Sequence, residues 1–498
     1  MSTTRLLVID AGTTGIRAIV FDSELTSLGE AAIEFGQFHP GQDRVEQDAE
    51  EIWTVASTMA ARALRLAGTT PDQVTAIGIA NQRATTVVWD RRTGKPITRA
   101  IVWQDTRTAA RVDELAESWG EKTYSRTGWA LAPVYSSLSI EWILRNVPGA
   151  EELADAGHLA FGTVDSWLIY RFTGGREHVI AASNASVTGA YDLTTDDWYT
   201  DWLGELGIPA SMFPEVRSDS GDLGTTAASV FGAEVPIRSA IADQQSALFA
   251  QHCLEPGMVK CTHGTGTFLD MNVGAKPVID TSSGLNAMIA WRIDGVTTYN
   301  LEGYAAVTGA AVGWLRDGIG IISTASEVEA VAGSVPDSGG VYFVPALAGL
   351  SAPYWDSYAR GTIFGITPGT TRGHLARATL EGIVYSIRDF IDAMGSVSGR
   401  RITTIAADGG ASRNDMLLQF QADQLGIEVV RPANIEATAL GAALLAGLAA
   451  DVWATTDEAF SHLDTDVTFT PQISAEERAR GYDRWTKAVS RSRDWARA

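Results

Sequence analysis

The sequence predicts a mixed α/β protein divided into two large domains, and three observations lead there. A strand, a Gly/Thr-rich turn and a second strand open the chain in "RLLVIDAGTTGIRAIVFDSE". The design restarts after residue 240, in "GMVKCTHGTGTFLDMNVG". This reads as an internal duplication with one nucleotide-type turn in each half. Strand pairs alternate with amphipathic helical patterns, which favours mixed sheets over an unbroken βαβ series. At roughly 100–200 residues per domain, the 498-residue chain holds two large domains or three modest ones.

In the first turn, "DAGTTGIR" from Asp10 to Arg17, Gly and Thr offer backbone N–H groups and hydroxyls to an anion. Asp10, at the strand end, could hold a phosphate-bound metal, and Arg17 could reach a terminal phosphate. A plain β-hairpin explains the same residues. A helix follows in "DAEEIWTVASTMAARALRLAG", where Ile52, Val55, Met59, Ala63 and Leu66 fall at three-to-four-residue spacing and Gly68 supplies a stop. The stretch "VTAIGIANQRATTVVWD" repeats the strand–turn–strand design. Its turn sets Arg83, a fixed cation, beside the bare methyl of Ala84.

In "IADQQSAL", Asp243 and Gln244 stand at a strand end. Asp243 could accept a proton from a substrate hydroxyl, or simply cap a helix. The second Gly/Thr turn, "HGTGTF" with Thr265 and Gly266, is not a P-loop, because no Gly-Lys-Ser/Thr follows. Nor is it a dinucleotide fingerprint, because the third Gly is missing. Beside it, His263 reads as a packing or turn residue. An amphipathic helix runs through Leu375, Ile383, Ile387 and Phe390. Near the end, "ITTIAADGGASRNDMLLQFQADQLG" is a strand, the turn "DGGAS" and a helix faced by Met416, Leu417, Phe420 and Leu425. Adjacent glycines let a flat group lie against the backbone at a helix start; a tight strand-to-helix turn uses them equally well.

Composition narrows the partners. The formal net charge of −22 repels nucleic acid and anionic membranes. A nucleotide would need local backbone donors, placed cations and a metal to offset that field. The longest apolar run, "ALGAALLAGLAA", is too short and too rich in Ala and Gly to span a bilayer. The start "MSTTRLLVID" passes straight into a strand, so no signal peptide is expected. Two cysteines, Cys253 and Cys261, form neither a disulfide framework nor a zinc pattern and fit a reducing cytoplasm.

Taken together, these segments resemble the FGGY family of carbohydrate kinases, most closely its glycerol-phosphorylating members. The likeness runs in order through "DAGTTGIRAIVFD", "AIGIANQRATTVVWDRRTGKPI", "FGTVDSWLIYRFTGG", "DQQSALFAQ", "GTGTF", "GTIFGITPGTTRGHLARATLE" and "DGGASRNDMLLQFQAD". The resemblance implies two domains of the actin or ribonuclease H type around a cleft, residues 1–245 for the polyol or sugar and 246–498 for ATP. It implies ATP with Mg²⁺ as cofactors, a small polyol or sugar as partner, and a possible homodimer. By the same likeness, Asp10 would help hold magnesium, and Thr13, Thr14 and Arg17 would meet the transferred phosphate. Thr265, Gly309, Gly410 and Asn414 would contact the nucleotide. Asp243 would be the general base with Gln244 beside it, and Arg83, Trp103 and Phe268 would line the polyol pocket.

The departures from the family cluster in that pocket. Members acting on glycerol usually carry a Glu where this chain has Ala84, and a Tyr where it has Val134. Tyr135 is one residue on, and a one-residue shift in the alignment would restore a phenol there. Ser139 stands where the family signature expects Lys, and Gly15 where Ser is frequent. Both pocket changes remove volume and a hydroxyl-gripping group, and a hydrogen bond to a charged group is worth about 1.5–3 kcal/mol. The sequence therefore predicts a polyol or ketose of four or five carbons, with glycerol itself as the alternative and a non-catalytic actin-like ATPase module as the reading from another class. Some family members bind a sugar bisphosphate through an Arg at the position of Glu234. A carboxylate has the wrong charge for that, although Arg238 lies nearby.

Overall fold

The computed structural model describes residues 4–305, 307–433, 437–463 and 467–497. Two sheets dominate it. The first contains β1 (Leu6–Ala11), β2 (Gly15–Phe21), β3 (Ser27–Glu34), β4 (Ala76–Asn81) and β5 (Ile237–Ala242), in the order β5-β4-β1-β2-β3. β1, β2 and β3 are successive antiparallel neighbours, whereas β4 and β5 run parallel to β1. The second contains β6 (Met258–His263), β7 (Thr267–Gly274), β8 (Asn286–Ile293), β9 (Val296–Ala305), β10 (Thr404–Asp408), β11 (Glu428–Val430) and β12 (Thr468–Phe469), in the order β8-β9-β7-β6-β10-β11-β12. Within it, β9-β7-β6-β10-β11 repeats the order and directions of β3-β2-β1-β4-β5. The duplication expected from the two Gly/Thr turns is thus a duplication of whole sheets, the arrangement of the actin and ribonuclease H folds.

The first helix, α1 (Ala49–Leu66), starts where the Asp48 carboxylate accepts the backbone N–H groups of Glu50 and Glu51, satisfying donors that a helix start otherwise leaves unpaired. Its core face is Ile52, Ala56, Met59, Ala60, Ala63 and Leu64. Leu66, expected on that face, is 58% exposed, because it ends the helix on the flank of the face, next to the half-buried Val55 side. The other helices near the cleft are α2 (Ser136–Asn146), α3 (Asp243–Ala250), α4 (Gly309–Asp317), α5 (Arg372–Ser398), α6 (Asp415–Leu425) and α7 (Ala437–Ala449). On α5, Ile383, Ile387 and Phe390 are buried as the periodicity predicts.

The Ala/Gly-rich run became α7, and its small residues have a packing reason. A Cβ on Gly78 of β4 would lie 2.6 Å from the Ala442 carbonyl oxygen, and one on Gly441 only 2.1 Å from that of Ser246. Backbone meets backbone there, which only glycine permits. Leu440 and Leu444 share a core with Leu6, Val8 and Ile241 of the first sheet and Phe249 of α3. Ser239 and Ser246 donate to the carbonyls of Ala442 and Thr438, at 2.7 and 2.6 Å. One helix therefore ties the second half of the chain to the sheet of the first and to the helix that begins with Asp243. Among the described residues, no helix is long and apolar enough to cross a membrane.

Candidate active site

β4 ends at Asn81, and the turn after it is fixed from both sides. Gln82 donates its backbone N–H to the Ala11 carbonyl, 2.9 Å, and its amide to Gln47 Oε1, 2.8 Å. Gln47 in turn donates to the Thr13 carbonyl, 2.6 Å, and Thr85 donates to Gln82 Oε1, 3.0 Å. The Arg83 turn and the first Gly/Thr turn are therefore one hydrogen-bonded unit. Ala84 sits at φ 58°, a left-handed conformation that costs a non-glycine residue about 1–3 kcal/mol and tends to occur where function constrains the chain. Ser136 Oγ holds the Ala84 carbonyl at 3.1 Å.

The Arg83 guanidinium leaves this turn and meets groups from both halves of the chain. Its Nη1 lies 2.7 Å from Glu302 Oε2 on β9 and its Nε 3.5 Å from Asp243 Oδ1 on α3. Nη1 also lies 3.4 Å from Met288 Sδ, and the Trp129 ring centroid is 6.0 Å from the guanidinium carbon. Burial alone would lower the Arg83 pKa, but Glu302, Asp243 and Asp270 together raise it. Asp243 is the first residue of α3, following Ala242 as cap, and its Oδ1 accepts the Gln244 N–H at 2.8 Å. Burial pushes its pKa above the ordinary 3.8, partly offset by Arg83. A carboxylate so raised is a better proton acceptor than an exposed one.

Gln244 turns toward the second sheet. Its Oε1 accepts from Lys260 Nζ at 2.6 Å, and the same Nζ lies 2.9 Å from Asp270 Oδ2. Lys260 and Asp270 are both 0% exposed. Burial works against the Lys260 charge, yet Asp270 and Asp408 raise its pKa overall, so the ammonium persists.

At the first turn, Asp10 on β1 is registered opposite Arg17 on β2. Arg17 Nε is 3.6 Å from Glu30 Oε1. Thr14 is exposed at the tip, and Thr13 Oγ1 accepts the Trp103 indole N–H at 3.0 Å. Trp103 is 41% exposed, a large apolar face left open. Phe268 lies cross-strand to Tyr304, ring centroids 4.6 Å apart. Val134 is half-buried just before α2. Tyr135 corrects an expectation: its side chain is fully buried, and its hydroxyl bonds the Trp129 carbonyl and Thr127. A phenol already paired inside the core cannot grip a substrate, so Tyr135 does not replace the tyrosine missing at Val134.

Thr265, Gly309, Gly410 and Asn414, four residues from three separate segments, line one cavity of about 480 Å³. Val312, Val328, Leu380, Ile383 and Leu417 give it an apolar wall, and that size and lining suit a purine nucleotide. Backbone bonds from Thr308 N to the Thr265 carbonyl and from Gly309 N to the Gly264 carbonyl, both 3.0 Å, clasp the second turn to the start of α4. A Cβ on Gly309 would strike the Gly264 carbonyl at 2.6 Å, whereas one on Gly410 would meet nothing within 4 Å. Gly410 thus faces open cavity. Asn414, not the "DGGAS" turn itself, caps α6, its Oδ1 accepting the Leu417 N–H at 2.9 Å. His263 is buried on Gln421, and burial lowers its pKa to about 4, so it is a neutral packing group. A larger hollow of about 910 Å³, around Arg91, Lys95 and Tyr170, contains none of the expected residues.

Glu302, Lys260 and Asp270 were missed by sequence reasoning. The available signal was a lone charge inside each of three apolar strands, "MVKCTH", "TFLDMNVG" and "VTTYNLEGYA".

With this geometry in place, the comparisons are decisive about the class. Residues 5–250 match the N-terminal domain of the FGGY family of carbohydrate kinases and residues 259–450 its C-terminal domain. The chain belongs to that family and is an ATP-dependent phosphotransferase with an alcohol group as acceptor. It is 49% identical over 490 residues to the glycerol kinase of Deinococcus radiodurans, covering 98% of each chain. It is 50% identical over 491 residues to glycerol kinase 2 of Thermotoga maritima, covering 98% of this chain and 99% of the relative. The crystal structure of Plasmodium falciparum glycerol kinase with ADP superposes with a TM-score of 0.94 at 31% identity, covering 98% of each chain. A xylulose kinase from Lactobacillus acidophilus shares the fold, with a TM-score of 0.87 at 20% identity and coverage of 98% and 97%.

The cavity lined by Thr265 and Gly410 yields a prediction. Gly410→Val should weaken ATP binding about tenfold, the scale of a 1–3 kcal/mol steric penalty, because it fills open cavity. Polyol binding should not change. Calorimetric titration of each ligand checks both.

Proposed function

We propose that this chain transfers the γ-phosphate of ATP to a hydroxyl of a small polyol, and that glycerol is that polyol. The observation that carries the reading is the meeting of Arg83 and Asp243 at 3.5 Å, with the Thr265–Gly410 cavity formed separately by the second half of the chain. The polyol then lies mainly against residues 1–245 and ATP mainly against 246–498. The named relatives at about 49% identity favour glycerol.

In this reading Arg83 grips substrate hydroxyls and Asp243 accepts the proton as one of them attacks. Such transfer leaves a protein chiefly positioning and charge stabilisation to do. Thr13, Thr14 and Arg17 receive the transferred phosphate, and Trp103 and Phe268 wall the polyol. Among the described residues no three His, Cys, Asp or Glu side chains converge on a common point. Mg²⁺ is commonly held by one or two carboxylates together with substrate phosphates and water, and Asp10, at the end of β1, would hold it. When bound, it supplies positive charge against the phosphates. Closure of the two halves would exclude water and limit wasteful hydrolysis.

A second reading rests on Ala84 and Val134: a four- or five-carbon polyol or ketose fills the room left by the absent carboxylate and phenol. The buried state of Tyr135 keeps this reading alive. Comparing kcat/KM for glycerol, erythritol, threitol, xylitol, xylulose and ribulose separates the two. The highest value for glycerol supports the first; a tenfold or larger preference for a longer substrate, about 1.4 kcal/mol, replaces it with the second. Bisphosphate control through residue 234 is not expected, since Arg238, the nearby cation, is paired with Asp222 at 2.7 Å.

A further inference from the structure

We infer that Lys260, Asp270 and Glu302 form a positioning row that holds Asp243, Gln244 and Arg83 in working geometry; this rests on the polyol-kinase reading above. The three residues are direct cross-strand neighbours on β6, β7 and β9, so their side chains share one face of the second sheet. At one end of the row, Lys260 forms an ion pair with Asp270 at 2.9 Å and donates to Gln244 Oε1 at 2.6 Å. At the other, Glu302 holds Arg83 at 2.7 Å, and Arg83 lies 3.5 Å from Asp243. Asn300 donates to Asp270 Oδ1 at 2.8 Å and fixes the middle. The first two residues of α3 are thus tied at two points to one rigid row belonging to the other half of the chain.

The unequal distances matter. Glu302 takes the guanidinium as a close ion pair at 2.7 Å, whereas Asp243 stands off at 3.5 Å, too far for a hydrogen bond. Asp243 therefore keeps an oxygen for the substrate hydroxyl instead of spending it on Arg83. The Arg83 turn cannot supply that competing carboxylate itself, because Ala84 follows. Folding alone does not explain the arrangement, since a buried ion pair is often replaceable by apolar residues at no loss of stability. The groups facing Asp243 are Arg83, Lys260 and Asp270, and those facing Glu302 are Arg83, Asp270 and Lys260.

The test is Glu302→Gln, which keeps shape and removes charge. Arg83 should then close on Asp243. The kcat should fall about 10²-fold, the scale of a misplaced reacting group, with polyol KM raised and ATP KM unchanged. The acid limb of kcat/KM should move to lower pH, because a fully paired Asp243 stays ionised longer. An unchanged kcat, polyol KM and acid limb, with only a lower melting temperature, would reduce the row to a structural role and overturn the inference. If E302Q does not fold, Glu302→Asp withdraws the carboxylate by one methylene and should shift kcat and polyol KM in the same direction; no shift overturns the inference equally. Wild-type protein tests the underlying reading by itself. Should it phosphorylate no polyol, a crystal structure of E302Q still decides the inference: Arg83 within hydrogen-bond distance of Asp243 supports it, and an unmoved Arg83 refutes it.

Discussion

Asp243→Asn is expected to slow phosphoryl transfer by about 10²–10⁴-fold, the usual contribution of a positioned general base, while ATP still binds. Asn keeps the size of the side chain and its bond from the Gln244 N–H, so α3 should start as before. What is lost is the ability to take a proton. The cavity proposed for the nucleotide is lined from the segments 263–265, 308–312, 325–329, 380–383 and 410–417, none of them in α3, which is why ATP affinity should survive. In the wild type, burial raises the Asp243 pKa above the ordinary 3.8, so kcat/KM should fall as pH drops through that raised value. In the Asn variant that limb should vanish. Single-turnover kinetics across pH, with calorimetric ATP titration, read both effects. Unchanged turnover would remove Asp243 from the role of base.

Lys260→Met carries the largest expected effect on stability, a loss of about 3–5 kcal/mol, because it strands Asp270 as an unpaired buried charge. Both partners are 0% exposed, so water cannot compensate. The double change Lys260→Met, Asp270→Leu should recover most of that loss, since an apolar pair of similar volume costs no charge desolvation. Recovery of stability should not restore activity: Gln244 loses the donor at 2.6 Å and α3 loses one of its two ties. Urea unfolding of the three proteins, with turnover measured alongside, distinguishes a device for geometry from a device for folding. A double variant that regains full activity would show that Gln244 needs no tether.

Much of this was legible in the chain, for identifiable reasons. Strands and turns at "LLVIDAGTTGIRAIVF" and "VKCTHGTGTFLDM" announce themselves because Gly/Thr turns between apolar runs have few other uses. The four residues that the family likeness assigns to the nucleotide line one cavity. Leu66 was misplaced because it lies on the flank of the core face, in the helix's last turn, where nothing packs over it. Tyr135 was misjudged because neighbouring residues before a helix point in different directions, and one residue separates a pocket wall from the core. The row of Lys260, Asp270 and Glu302 was illegible because cross-strand register joins residues distant in sequence. A lone charge in an apolar strand warns of a buried partner without naming it. The Ala/Gly run of α7 says in sequence only that it is too short to span a bilayer; the backbone approaches at Gly78 and Gly441 give its small residues their reason.

Polyol-dependent ADP release by the wild-type protein, with the phosphorylated product identified, decides whether this chain acts as proposed. ADP should form slowly with ATP and Mg²⁺ alone and much faster when the right polyol is added, in one-to-one ratio with a phosphorylated polyol, glycerol 3-phosphate in the leading reading. ADP release indifferent to every polyol, with inorganic phosphate as the only product, would contradict the kinase reading and leave an ATPase in its place.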